Sequence, residues 1–381
     1  MIRKRRGRVL VVYQHLPHYR RAIFELMQDS GIYDYEFAAS ATPLDTSITC
    51  LDPETISCFH QLKNIQLRRF LWQSGLLRLI LFRRFQAVIF LGDQSYVSTW
   101  LAAIVCRMFR VRVMMWTHGW SRHEIGARRL SRLTFYAIAN HLLVYGNRAR
   151  DLGVKLGYPA EKITVIYNSL STRDEVISRQ AGVDLAAAVK SDPPVLLCVG
   201  RLTARKKLDV LLDLAERLGR RGVPVRLWFI GEGPARRSLE QAASERGIEA
   251  SFFGECYDAN RLTSLTAQAS LTVLPGDAGL SIIQSMECGI PVITNSNFDR
   301  HAPEVEAIVP GVNGDMFSDG SLDDLTDVVE RWLGRSEVAS KECAEFSLKL
   351  VVDRYSADGQ LERIEGVLGH LLCPSSRTLA T

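Results

Sequence analysis

Three stretches between residues 194 and 281 carry residue types suited to one task, the holding of a phosphate-sized anion. In "PVLLCVGRLTARKK" (194–207) an apolar run ends at Gly200, where the backbone can turn; Arg201 can fork onto a phosphate and Lys206 adds a point charge at the start of the next helical pattern. In "VRLWFIGEGP" (225–234) Gly231, Gly233 and Pro234 make a tight turn after the strand. In "LTVLPGDAGLS" (271–281) a glycine loop runs into a helix beginning near Leu280, whose free backbone N–H groups form an anion site at a helix N-terminus. Singly, each of these is more often plain turn chemistry. Their order and spacing bring three strand ends onto one ligand.

The elements that must position them are short aliphatic runs alternating with amphipathic stretches. "RVLVVY" (8–13), "AVIFLG" (87–92), "RVMMWTHG" (112–119) and "HLLVYG" (141–146) recur in the first half; the three runs above, "ASFFG" (250–254) and "PVIT" (291–294) recur in the second. Near-continuous apolar strands between helical patterns predict parallel sheets covered on both faces, with ligands at the carboxyl ends of the strands. The fold class read from this rhythm is α/β, with two doubly wound Rossmann-like domains. The polar, proline-ended stretch near 170–193 separates them. The expected division is an N-terminal Rossmann-like domain over 1–175, a linker over 176–193, a C-terminal domain over 194–352, a helix over 353–372 packing back on the N-terminal domain, and a tail over 373–381.

Charge is unevenly placed along the 381 residues. The net +5 divides into +12 over residues 1–185, where 26 Lys+Arg face 14 Asp+Glu, and −7 over the remainder. "LRRFLWQSGLLRLILFRRF" (67–85) interleaves Leu, Trp and Phe with arginine, as a segment lying on an anionic bilayer would, although a solvated surface helix has the same pattern. Nucleic acid fits less well, because no binding motif accompanies the charge. The start, "MIRKRRGRVLVVYQH", has too short an apolar run for a signal-peptide core. Eight cysteines without a C-x-x-C pair read as reduced thiols. A cytoplasmic protein, peripherally associated with the inner face of the cell membrane, is the expectation. Neither an Asp-x-Asp, an H-E-x-x-H, a P-loop nor a G-x-S-x-G elbow is present, so no metal and no permanently bound cofactor are expected.

"VGRLTARKKLDVLL", "FIGEGPARRSLEQAA", "FFGECYDANRLTSLTAQASLTVLPGDAGLSIIQSMECGIPVIT" and "VPGVNGDMF", over about residues 195–335, resemble the retaining nucleotide-sugar glycosyltransferases of the family 4 type, also called glycosyl transferases group 1. "VIYNSL" and "WTHG" extend the likeness less specifically. The resemblance implies a GT-B fold, its two domains facing a central cleft, and a nucleotide diphosphate sugar as donor. It implies that Arg201 and Lys206, with the amides of Gly279, Leu280 and Ser281, bind the donor diphosphate. His118 would then hydrogen-bond the reacting sugar. The implied reaction passes the sugar to an acceptor hydroxyl with retention, the departing phosphate oxygen taking the acceptor proton on the same face. With the basic first half, the implied acceptor is a lipid-linked saccharide in surface polysaccharide or lipopolysaccharide assembly.

The sequence departs from the family at both acids of its E-x7-E motif, which fall on Gly276 and Gln284. Gln284 can still accept hydrogen bonds from the donor ribose. Gly276 cannot replace the sugar-facing carboxylate, and Asp277, one position on, is the candidate to do so; Asp299 and Glu304 are further donor-facing candidates. The first loop, "YQHLPHYRRAIFEL", also lacks the family's glycine-rich turn. His15, His18 and Arg20 there are candidates for contact with an acceptor phosphate, or for simple helix capping. A non-catalytic saccharide-binding or scaffold protein of the same fold, and a nucleotide-sugar epimerase, stay open as alternatives.

Overall fold

The structure, a computed structural model, describes residues 7–44, 49–122, 124–179 and 192–373. The centre of the expected linker, 180–191, and most of the tail lie outside the described residues. The chain forms two units, one of residues up to Ser171 together with those from Ala357, the other Thr172–Ser356.

In the first unit seven strands make one parallel sheet: β1 Gly7–Val12, β2 Tyr33–Ala39, β3 Phe59–Gln61, β6 Ala87–Leu91, β7 Arg112–Thr117, β8 His141–Val144 and β9 Ile163–Val165. They lie in the order β3-β2-β1-β6-β7-β8-β9. Because side chains alternate across a strand, the continuous apolar runs feed two cores. Val9, Val11, Ile89 and Trp116 pack on one face, Leu10, Val12, Phe90 and Met115 on the other. Helix Ala357–Leu372 joins the first of these cores through Ile364, Val367 and Leu368, against Ile23, Phe24 and Met27 of helix Arg21–Gln28. Gln360 accepts from Ser169 Oγ at 2.9 Å and the Ala357 amide donates to Ser171 at 2.9 Å. The C-terminal helix therefore packs on the N-terminal sheet, as expected.

The second unit repeats the plan with six parallel strands, β10 Val195–Val199, β11 Arg226–Ile230, β12 Ala250–Phe252, β13 Leu271–Leu274, β14 Val292–Asn295 and β15 Gly314–Phe317, ordered β12-β11-β10-β13-β14-β15. In each sheet the winding direction reverses once, between β1 and β6 and between β10 and β13. A crevice opens at the strand ends at such a reversal.

Residues 67–85 are not one helix. The antiparallel hairpin of β4 Lys63–Leu67 and β5 Phe70–Ser74 is followed by helix Leu76–Phe82. Arg68 and Gly75, at φ +53° and +95°, end the elements on either side of β5. Gln73 is buried and donates to the Tyr13 carbonyl at 2.9 Å, which fixes β5 as a strand whose face of Leu71 and Gln73 turns inward.

His141, buried in β8, shares a hydrogen bond between Nε2 and Thr164 Oγ1 at 2.8 Å. Burial, and then the nearby His370, push its pKa down to about 4. The unfolded chain therefore takes up the proton first, and stability present above about pH 6.5 falls as the pH drops towards 4. The expected loss is up to about 3 kcal/mol from this residue. Thermal melts at pH 7.5 and 4.5 read it, and the gap between them narrows in His141→Gln.

Candidate functional site

At the reversal in the second sheet, the segment after β10 and the loop after β13 lie against each other. Gly231, at φ +137°, lets the β11 end close on the first segment: a Cβ there would sit 2.1 Å from the Gly200 carbonyl oxygen. The Leu202 amide donates to Glu232 at 2.8 Å and the Ala235 amide to Leu202 at 2.9 Å. This pinning leaves Arg201 exposed and carries the chain through the short turn Ala204–Lys206. Lys206 folds inward, its Nζ donating to the Asp277 carbonyl. Burial lowers its pKa, while Cys198 and Asp277 oppose and Arg205 reinforces that shift. Cys198 itself is a neutral thiol, pushed up to about 12 by burial.

The loop 275–280 is braced from both sides. Asn295, fully buried, donates Nδ2 to the Pro275 and Gly276 carbonyls at 3.0 Å each. His301 accepts the Ala278 amide on Nδ1 at 3.1 Å and donates Nε2 to the Asn295 carbonyl at 2.8 Å. Burial lowers the His301 pKa, which keeps the neutral ring that this pair of bonds requires. The Asp277 amide donates to the Arg205 carbonyl at 3.1 Å, and its carboxylate pairs with Arg205 at 2.6 Å. Helix Ser281–Met286 follows, its first N–H bonds to the loop running from Ile282 to Gly279 and from Gln284 to Leu280. The amides of Gly279, Leu280 and Ser281 precede the donors of those bonds, and the first amides of a helix find no carbonyl within it. Gln284 is half-buried on the helix, Asp299 is exposed and Glu304 is buried behind Gly279.

Gly276 is buried where a side chain has no room. A Cβ would meet the Arg205 carbonyl oxygen at 2.2 Å and the carbonyl carbon and Cα of Lys206 at 2.4 and 2.6 Å. The missing acid is thus replaced by backbone, the same backbone that carries Lys206.

The first unit holds its own pocket of about 420 Å³, at the reversal between β1 and β6. Segments after four strands line it, and they bring His15, Arg20 and His118 together. His18 turns away, its Nδ1 donating to the Thr49 carbonyl at 3.1 Å. Arg20 is 4% exposed, its guanidinium over the rings of Tyr145 and Trp116 at 4.9 and 5.3 Å, and donates to the Tyr145 hydroxyl. His118 stands with its ring centroid 4.8 Å from that of Tyr145 and keeps an edge open to the pocket. Enclosure on its other sides, and then the charge of Arg20, push its pKa down to about 4 against the opposing pull of Asp93. At neutral pH it is an uncharged ring that both donates and accepts a hydrogen bond.

Asp93, Tyr145 and Arg132 line this pocket and were not singled out from the sequence. The first two follow strands in "FLGDQ" and "LVYGN" and share the signal that marked His118. Arg132 comes from a helix and is set by a two-pronged pair with Glu124 at 2.8 Å. In the second unit Asn295, which ends β14, and His301, in the polar run after it, were not singled out from the sequence either.

The model of the family described as glycosyl transferases group 1 matches residues 186–347. The chain is 26% identical over 240 residues to the alpha-D-kanosaminyltransferase of Streptomyces kanamyceticus, covering 59% of each. It is 25% identical over 189 residues to the GDP-mannose-dependent alpha-(1-6)-phosphatidylinositol dimannoside mannosyltransferase of Mycobacterium tuberculosis, covering 49% of this chain and 48% of that one. The chain thus spans about half to three fifths of the length of these relatives. Among solved structures, HepE of Anabaena in complex with UDP superposes with a TM-score of 0.72 at 15% identity, covering 96% of this chain and 100% of that one, which gives the fold as GT-B.

Proposed function

From the match of residues 186–347 to the model of the glycosyl transferases group 1 family, we propose that the chain moves a hexosyl group from a nucleotide diphosphate sugar to a hydroxyl of a lipid-linked saccharide, with retention at the anomeric carbon. The observation that carries this reading is the half-buried Lys206, desolvated and held beside a braced loop that offers amides at its exit. A cation prepared in this way gains from an anion what it lost in leaving water. Lys206 and the amides of Gly279, Leu280 and Ser281 take the diphosphate, with Arg201 reaching in from the exposed side. Gln284 accepts from the ribose. Asp277, its side chain 19% exposed and already paired with Arg205, is the acid next in sequence to Gly276. In the first unit, neutral His118 hydrogen-bonds a hydroxyl of the transferred sugar. His15 and Arg20 contact the acceptor in the pocket they share.

The lipid-linked acceptor is supported by the basic first half and by the phosphatidylinositol-based acceptor printed in one relative's name. The reading places the protein in surface polysaccharide or lipopolysaccharide assembly at the cytoplasmic face of the membrane. A screen of UDP-, GDP- and dTDP-sugars with purified protein and a lipid-linked acceptor pool tests it through nucleoside diphosphate release. One donor is expected to turn over. Silence with every donor favours the non-catalytic saccharide-binding reading.

A further inference from the structure

We infer that the outer face of helix Val97–Met108, with the elements packed beside it, docks on an anionic membrane surface. The helix turns Ser98, Thr99, Ala102, Ala103 and Cys106 towards the sheet, where they are buried. At 3.6 residues per turn, Val97, Leu101, Ile104 and Met108 fall within about 60° of one another on the opposite side. All four are large, apolar and 42% to 74% exposed. A helix apolar on both sides calls for cover on both, and the sheet provides only one.

The neighbouring elements extend the same character. Helix Leu76–Phe82 packs on this helix and exposes Leu81 and Phe82, the latter 81% exposed. β5 packs on it as well, and the cross-strand pairs Ile65–Trp72 and Leu67–Phe70 of the hairpin leave all four side chains exposed. Exposed apolar surface of this extent marks an interaction site.

Charge selects the occupant. Residues 63–112 contain nine Lys and Arg against a single carboxylate, Asp93, whose Oδ1 is engaged by the Ser95 amide and hydroxyl. Arg107 and Arg110 stand at the end of the apolar stripe, and Arg68 and Arg69 at the hairpin tip, all exposed. Apolar side chains rimmed by arginine match acyl chains beneath anionic headgroups, with the arginine stems lying along the boundary. Among the described residues no helix is long and apolar enough to cross a membrane. The inference deepens the membrane location proposed above and rests on it, but its test uses neither donor nor acceptor. A failure here leaves sugar transfer standing, and a silent donor screen leaves this surface standing.

The test is co-sedimentation of the full chain with vesicles of phosphatidylcholine alone or mixed with phosphatidylglycerol. The wild type is expected on the anionic vesicles, less so as salt rises. Arg107→Gln with Arg110→Gln should weaken partition by roughly thirtyfold, since each arginine near the surface is worth roughly fivefold. Leu101→Gln, Ile104→Gln and Met108→Gln together should weaken it by at least roughly tenfold, with an unchanged melting temperature because all three are exposed. Arg217→Gln with Arg220→Gln, on the other unit, should leave partition as it was. Failure of the wild type to bind anionic vesicles, or equal binding by both patch variants, overturns the proposal. So does self-association in sedimentation equilibrium that the triple variant abolishes while vesicle binding is absent, which would make the face a protein interface.

Discussion

Lys206→Met lowers turnover of the donor by roughly 10²–10³-fold, the scale set by removing one preorganised group from a developing negative charge. Methionine keeps the aliphatic stem and much of the volume, so the change isolates the charge. Burial already lowers the lysine's pKa, which means the free protein holds that charge at a cost in solvation. A diphosphate restores what burial removed, and the leaving group's growing charge draws on it most. Removing the charge should therefore leave the melting temperature unchanged or slightly higher while turnover falls. The Nζ bond to the Asp277 carbonyl is lost, but Asn295 and His301 still brace the loop. Steady-state release of the nucleoside diphosphate, measured beside a thermal melt, separates the two effects. Wild-type turnover in Lys206→Met would move the anion site elsewhere.

Gly276→Glu, which rebuilds the family's first acid, should lower activity and stability together. The position of the new Cβ lies 2.2 to 2.6 Å from the backbone of Arg205 and Lys206, and backbone cannot yield as a flexible side chain does. Relief requires moving the segment that carries Lys206, so the added carboxylate disrupts the cradle it is meant to complete. Gly276→Ala carries the steric part alone. Overpacking of this kind costs about 1–3 kcal/mol, or roughly 5–10 °C at the upper end for a unit of this size. Differential scanning of both variants checks the estimate. A Gly276→Glu variant with raised turnover, or an alanine variant that melts with the wild type, would show that the segment can be displaced freely.

The second unit was readable from the sequence because its strands are covered on both faces and run as unbroken aliphatic segments, each ending in its own turn. The first unit hid more. β2, "YDYEFAA", carries Glu36 where an apolar residue would mark a strand, and the charge survives burial because Arg8, His60 and Arg83 surround it. Burial works against the charged form, but the bonds from His60 and Arg8 hold the Glu36 pKa below the usual carboxylate range. β5 falls within the amphipathic segment 67–85, since Leu and Arg suit a helix as well as a strand; Gln73 decides otherwise through a partner sixty residues away. In the candidate site, residue types named the anion-binding groups, but the reason Gly276 is glycine lies in a contact with backbone about seventy residues earlier. Periodicity carries no trace of such a contact. His301 escaped for the same reason, because its bond from the Ala278 amide crosses to a loop that is adjacent only in the fold.

The central claim is that the second unit binds a nucleoside diphosphate through Lys206 and the loop before helix Ser281–Met286. Calorimetric titration of UDP, GDP and dTDP into the full chain, with a chelator present, tests it without need of an acceptor. A single saturable site is expected for one of the three, weakened at least roughly tenfold in Lys206→Met. Binding of none of them, or equal binding by wild type and Lys206→Met, would contradict it.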